Sequence, residues 1–167
     1  MSFEDQAEHV IQFANIHKID KFSVIGHSMG GRAGMKTAIL NPSRVQAVMS
    51  LDAPAVDLRI FPGYLDRTSN LVNYLAQMDL NGKTYSMVRT TFMNLFKNDE
   101  ESVNRIMLNF RLISADSELV EFRCNPKNIV DNLTKMFAFQ HNGKFNGPAK
   151  MLIGGISNRF KYEHFKE

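Results

Sequence analysis

The apolar positions along the first third of the chain predict alternating helices and strands. Apolar side chains recur at helical spacing over residues 3–17, and the short β-branched and aromatic run Phe22–Ile25 follows. A second helical pattern ends at Asn41-Pro42, and Val45–Leu51 is another apolar run of the kind that forms a buried strand. Because helices and strands alternate over so few residues, we expect a parallel sheet with helical crossovers, in an α/β fold.

The pattern changes over residues 55–147, where helical periodicity dominates. Helical stretches are predicted at residues 68–78, 83–96, 100–110 and 128–139. Within this region only Leu119–Cys124 has the composition of a short strand, and a last sheet-like run starts at Ala149. We therefore predict a sheet domain made of residues 1–54 and 148–167, interrupted by a mainly helical cap at residues 55–147.

Composition and charge exclude several classes of protein. Hydrophobic residues make up 44% of the chain and charged residues 22%, which is typical of a globular protein. No apolar run approaches the roughly 20 residues of a transmembrane helix. The 20 basic residues are scattered among 17 acidic ones, so binding to nucleic acid is not indicated. The absence of a secretory signal and the single cysteine, Cys124, favour an intracellular location.

The candidate chemistry lies where the first predicted strand meets the next helix. Gly26-His27-Ser28-Met29-Gly30 has the spacing Gly-x-Ser-x-Gly, and its setting between strand and helix is that of a nucleophile elbow. In such a turn the serine backbone is strained. Small residues are expected at Gly26 and Gly30 because a side chain there would collide with the neighbouring helix or strand. Ser28 is therefore the predicted nucleophile.

The start of this helix suits a negatively charged reaction intermediate. The helix dipole and the backbone N–H of Met29 both favour negative charge beside Ser28, so Met29 N–H is a predicted oxyanion-hole donor. His27 is expected to point away from Ser28 and to pack or hydrogen-bond beneath the elbow. The alternatives are a Gly-rich turn without chemistry and a phosphate-binding loop. That loop requires a Lys-Ser/Thr ending, which Arg32 does not replace.

The order of the motifs resembles the α/β-hydrolase superfamily. Gly26–Gly31, Asn41-Pro42 and Leu51–Asp57 are similar to the branch that contains α/β-hydrolase domain-containing protein eleven and bacterial acyl esterases. Phe122–Asn125 and Gly147–Ser157 are similar to later motifs of that branch. The resemblance implies a partial α/β-hydrolase fold and a serine hydrolase of acyl esters. It also implies a small-molecule ester or lipid-like substrate, no metal or organic cofactor, and a mitochondrial or cytoplasmic location.

The resemblance allows more than one position for the catalytic acid. Many relatives carry the acid after the strand that begins here at Ala149, but this chain reads Gly154–Arg159 without a carboxylate. Some relatives take it instead from the end of the strand after the elbow helix, where Asp52 lies. We favour Asp52, whose structural alternative is to cap the following turn, and keep Asp57 and Asp131 as weaker candidates.

The base histidine and the second oxyanion donor are expected outside residues 1–167. None of His9, His17, His141 and His164 has the setting of a triad base, a loop after the last sheet strand. On this interpretation the chain is truncated at both ends and is inactive as an isolated fragment. The alternative is a non-catalytic remnant or binding protein that keeps the elbow fold. The apolar side chains that would line an acyl pocket, or pack as core, are Phe61, Leu65, Leu71, Tyr74, Leu75, Met78, Met87, Phe92, Leu95 and Phe96.

Overall fold

The computed structural model describes residues 2–61, 64–140 and 143–155. Its elements are α1 (Phe3–Ile16), β1 (Phe22–His27), α2 (Met29–Leu40), β2 (Val45–Leu51), a 3-10 helix (Leu58–Ile60), α3 (Tyr64–Gln77), α4 (Tyr85–Leu95), α5 (Glu100–Met107), β3 (Phe110–Leu112), β4 (Val120–Phe122), α6 (Pro126–Phe137) and β5 (Ala149–Leu152). None of the described helices is both long and apolar enough to cross a membrane. The chain divides into a sheet unit, Met1–Leu65 with Asn132–Glu167, and a helical unit, Asp66–Asp131.

Three parallel strands in the order β1-β2-β5 form the sheet of the sheet unit. After a register shift beyond Phe22, residues 23–27 pair with residues 47–51, so that His27 lies opposite Leu51. β5 pairs with the last four residues of β2, and Leu152 lies on the other side of Leu51. The predicted parallel sheet is confirmed. Because the strands run in the same direction, their carboxyl ends meet at one edge of the sheet.

Helices cover one face of this sheet in the described part of the chain. α2 packs on β1 and β2, and α1 packs on α2. The predicted burial of the strands is only partly observed. Residues of β1 alternate between half-buried and exposed, with Ile25 69% exposed, and all four residues of β5 are exposed. Strands of a parallel sheet are fully buried when helices cover both faces, and side chains on the face opposite α2 have no described helix over them.

A buried lysine on α2 joins three segments of the sheet unit. Lys36 is fully buried, and its ammonium donates to the carbonyl of Gln140. The same nitrogen lies 2.9 Å from a carboxylate oxygen of Glu4 on α1 and 4.8 Å from the ring centroid of Phe139. A buried ammonium is costly unless it is paired and hydrogen-bonded, so these partners are what allow a lysine at this position.

Glu4 should make stability depend on pH. Burial raises the pKa of Glu4, but hydrogen bonds, first among them the one from Lys36, outweigh burial and hold that pKa below its ordinary value of 4.5. A pKa that is lower in the folded state stabilises the fold above the unfolded value, and this stabilisation is lost as pH falls through the folded pKa. We expect Glu4→Gln to flatten the decline below pH 4.5 in the free energy of unfolding, measured with urea.

Glu8→Gln is the matched control for this experiment. Glu8 lies on the same helix but accepts a hydrogen bond from Gln12, at 3.2 Å, on the exposed surface. If both replacements flattened the pH profile equally, the pairing of Glu4 with Lys36 would not be the source of the pH dependence of stability.

The helical unit has an apolar core of its own. Its buried members are Leu75, Val88, Phe92, Val103, Ile106, Met107, Phe110 and Val120. Of the side chains predicted to line a pocket, Leu75 and Phe92 are core residues here, whereas Met87 is 48% and Leu95 49% exposed. Phe110 was assigned to the end of a helix but starts strand β3, which pairs with the predicted strand β4 in an antiparallel hairpin. This unit lies inside the predicted insertion 55–147, and its role as a cap stays a prediction.

Candidate active site

Ser28 forms the sharp turn between β1 and α2. Its φ of 51° and ψ of −121° are strained for a residue with a side chain. β1 ends at His27 and α2 begins at Met29, so Ser28 alone reverses the chain. Its N–H donates to the carbonyl of Leu51 at 2.9 Å, which ties the turn to β2. Serine is a common helix cap, yet the side chain of Ser28 makes no capping hydrogen bond with the described α2. The predicted strand–turn–helix setting is therefore present.

Two glycines around the turn allow the start of α2 to approach the strands closely. A Cβ at Gly26 would lie 2.3 Å from the carbonyl oxygen of Gly30, and a Cβ at Gly31 would lie 2.4 Å from Ser50 Oγ. A Cβ at Gly30 would meet no described atom within 4 Å. The expected collision at Gly30 is therefore wrong. Gly30 contributes its backbone to the contact with Gly26, and Gly31 is the second position that must stay small.

Gly26→Ala and Gly30→Ala should differ sharply in stability. We expect Gly26→Ala to lower the free energy of unfolding by about 1–3 kcal/mol, because the new Cβ meets rigid backbone. Gly30→Ala makes the same chemical change in open space within the first turn of α2, where alanine has the higher helix propensity. The free energy of unfolding of Gly30→Ala should therefore equal that of the parent protein or exceed it by up to about 1 kcal/mol. Urea unfolding of both variants tests this, and equal losses would contradict the packing at Gly26.

The first turn of α2 presents backbone N–H groups beside Ser28. The N–H of Arg32 donates to the carbonyl of Ser28 at 3.2 Å, which is the first helical bond. The N–H groups that precede it, starting with Met29, have no acceptor within a helix. The positive end of the helix dipole lies at the same place. An anion next to Ser28 would therefore be stabilised, and the role of the Met29 N–H as an oxyanion-hole donor stays a prediction.

Asp52 holds the same place on β2 that Ser28 holds on β1. It follows the last residue of its strand, has a φ of 52°, and donates its N–H to the carbonyl of Leu152 at 2.7 Å. Because His27 is paired with Leu51, the next residues of these two strands end at the same edge of the sheet. One carboxylate oxygen of Asp52 accepts from the N–H of Gly154 at 3.1 Å, which anchors the side chain at the end of β5.

The weaker acid candidates have other partners or places. Asp57 caps the 3-10 helix by accepting from the N–H of Arg59 at 3.0 Å, and it also pairs with the Arg59 side chain. The hydrogen bond from Arg59 lowers the pKa of Asp57 despite its partial burial. Asp131 is exposed on α6, at the limit of the helical unit. Among the three candidates, the structure brings Asp52 to the strand end next to Ser28.

The histidines are placed as follows. His9 on α1 and His17 at its end are exposed. His27 is also exposed, so the predicted packing beneath the elbow is wrong for the described residues. The alternation along β1 directs His27 to the sheet face opposite α2, where no described helix covers it. His141 and His164 lie outside the described residues.

Comparisons with known proteins concern the family and the fold of this chain. The sequence model of the family described as alpha/beta hydrolase fold matches residues 1–118. A putative esterase/lipase of Haemophilus influenzae is 26% identical over 164 residues, which are 98% of this chain and 54% of that protein. Esterase YbfF of Escherichia coli is 23% identical over 94% of this chain and 57% of its own length.

A solved structure, described as a marine microorganism esterase, superposes on this chain with a TM-score of 0.87 at 19% identity. The match covers 99% of this chain and 63% of that one. At this identity the likeness concerns the fold alone. The chain thus spans a little over half the length of the curated relatives named above.

Proposed function

Because this chain belongs to the α/β-hydrolase fold family, we propose that it supplies the nucleophile of a serine hydrolase that cleaves carboxylic esters. The observation that carries the proposal is the strained backbone of Ser28, a serine at positive φ between a parallel strand and a helix N-terminus. Such strain persists only where surrounding structure enforces it, and here Gly26 and the bond to Leu51 do so. The names of the two bacterial relatives support an ester substrate.

In the proposed reaction, Ser28 Oγ attacks the acyl carbonyl carbon of the ester. A histidine, expected outside residues 1–167, accepts the Oγ proton and returns it to the departing alcohol. The tetrahedral intermediate collapses to an acyl-serine, which water hydrolyses to the carboxylic acid, with the same histidine as base. Asp52 orients that histidine and stabilises its protonated form.

The negative charge on the tetrahedral intermediate develops on the former carbonyl oxygen. In the proposal, the N–H of Met29 donates to this oxyanion, and the positive end of α2 adds to the stabilisation. The proposed substrate is a small acyl ester or a lipid-like ester, in line with the names of the two bacterial relatives. The protein groups named here, with the histidine, complete the reaction without a cofactor.

The proposal is tested with the longest natural polypeptide that contains residues 1–167, assayed on a short p-nitrophenyl ester. Turnover should depend on Ser28, and p-nitrophenyl phosphate, with the same leaving group, should not be cleaved. Residues 1–167 alone should show no Ser28-dependent turnover, because the base is expected elsewhere. A folded polypeptide that cleaves no acyl ester would favour the alternative of a non-catalytic binding protein.

A further inference from the structure

Arg32 lies one turn after Ser28 on α2 and is 3% exposed. Its guanidinium carbon is 4.6 Å from the ring centroid of Phe3 and 5.4 Å from that of Phe139. A guanidinium keeps its charge when buried, so its N–H groups need acceptors inside the protein. The groups that accept hydrogen bonds from Arg32 are therefore needed to keep it buried.

One of these partners belongs to the segment that begins at Asp52. Arg32 Nη2 donates to the carbonyl of Val56 at 2.6 Å and to that of Phe137 at 3.1 Å. Between Asp52 and Val56, the residue Ala53 is buried and its carbonyl accepts from Ser50 Oγ at 2.6 Å. The segment after Asp52 is thus held by β2 through Ser50 and by α2 through Arg32.

We propose that Arg32 is a positioning residue that sets the carboxylate of Asp52 relative to Ser28. The inference rests on the proposed function. Arg32 is part of the helix whose N-terminus carries Ser28, and it binds the segment whose first residue is Asp52. The positive φ of Asp52 is strained, and strained residues keep their conformation only where neighbouring contacts fix them. Without the bond to Val56, Asp52 keeps its bonds to β5 and the segment keeps its bond to Ser50, but the link to α2 is lost. The carboxylate can then shift relative to Ser28 and to the histidine that it orients.

Lys36 provides a matched comparison within the same helix. It lies one turn beyond Arg32, is likewise buried, and binds Gln140 and Glu4. Neither partner belongs to the segment after Asp52. Replacing Lys36 therefore removes a buried cation from α2 without removing a bond to that segment.

The test is a double-mutant cycle between Arg32 and Asp52 in the longest natural polypeptide. Arg32→Met should lower kcat about 10- to 100-fold after correction for the folded fraction, since small displacements of catalytic groups have effects of this size. In an Asp52→Asn background the same replacement should change kcat less than about threefold, because the group that it positions is gone. Arg32→Lys should recover most of kcat, since an ammonium can still donate to the carbonyl of Val56.

The controls separate positioning from simple stabilisation. Lys36→Met should lower the melting temperature yet leave kcat of the folded fraction near that of the parent. Additive losses in the cycle, or an equal fall of kcat in Lys36→Met, would overturn the inference. If Arg32→Met does not fold, Arg32→Gln supplies the same cycle, and Arg32→Lys stays the conservative control.

Failure of the inference is distinguishable from failure of the proposed function. If Ser28→Ala is inactive and Asp52→Asn keeps full activity, the assignment of the acid is wrong, and so is the role proposed for Arg32. If Asp52→Asn is inactive and the losses of kcat in the Arg32–Asp52 cycle are additive, only the inference about Arg32 is wrong.

Discussion

Ser28→Ala is expected to lower kcat for ester hydrolysis on the order of 10⁶-fold, the effect of removing the nucleophile of a serine hydrolase. The replacement deletes one oxygen and leaves the Cβ, so the strained turn, the N–H of Met29 and the packing at Gly26 stay in place. What is lost is the covalent acyl intermediate. The measurement is release of p-nitrophenol by the longest natural polypeptide, together with labelling by a fluorophosphonate probe, which should disappear in the variant.

Ser23→Ala is the matched control for the nucleophile. Ser23 is an exposed serine on the same strand, and it lies within the regular part of β1 rather than at the strained turn. Its replacement should change neither turnover nor labelling. Labelling that survives in Ser28→Ala, or that is lost in Ser23→Ala, would contradict the assignment of Ser28.

The sheet and the elbow could be predicted because their determinants are local in sequence. Apolar runs of four to seven residues with β-branched side chains define β1 and β2, and Asn41-Pro42 ends the helix between them. Once the strands are known to be parallel, Ser28 and Asp52 must both lie where strands end at one edge. The proximity of these two residues therefore follows from local patterns and one rule of topology.

The buried cations could not be predicted from the sequence. Charged residues on a helix are usually interpreted as its solvated face, and α2 carries Arg32 and Lys36 one turn apart. They are buried because their N–H groups find acceptors elsewhere in the chain, namely the carboxylate of Glu4 and the carbonyl groups of Val56, Phe137 and Gln140. Nothing near α2 in the sequence indicates which distant carbonyls will lie beside it.

Packing at single positions could not be predicted from the sequence either. The motif Gly-x-Ser-x-Gly marks Gly26 and Gly30 alike, but only the distances show that a Cβ is excluded at Gly26 and accepted at Gly30. Similarly, Phe110 continues the apolar spacing of α5, and its pairing with Phe122 across the hairpin places it in a strand instead. Both outcomes depend on contacts between segments that a periodic pattern does not specify.

Asp52→Asn is expected to lower kcat about 10⁴-fold, the usual effect of neutralising the acid of a Ser-His-Asp triad. An asparagine keeps the shape of the side chain, and its oxygen can still accept from the N–H of Gly154. It cannot stabilise a protonated histidine, and it allows the wrong tautomer of the neutral ring. The loss should therefore be in kcat rather than in folding, which urea unfolding of the same variant checks.

Asp57→Asn and Asp131→Asn are the controls that decide which carboxylate is the acid. Asp57 already pairs with Arg59, whose hydrogen bond lowers the pKa of Asp57, so its replacement should cost some stability and little turnover. Asp131 is exposed and its replacement should be nearly silent, because surface substitutions usually change stability by less than about 0.5 kcal/mol. Of the three, only Asp52 ends the strand next to the one that Ser28 ends, and the orienting role requires that place. Near-normal turnover in Asp52→Asn, with a severe loss in either control, would show that the acid is not Asp52 but the residue replaced in that control.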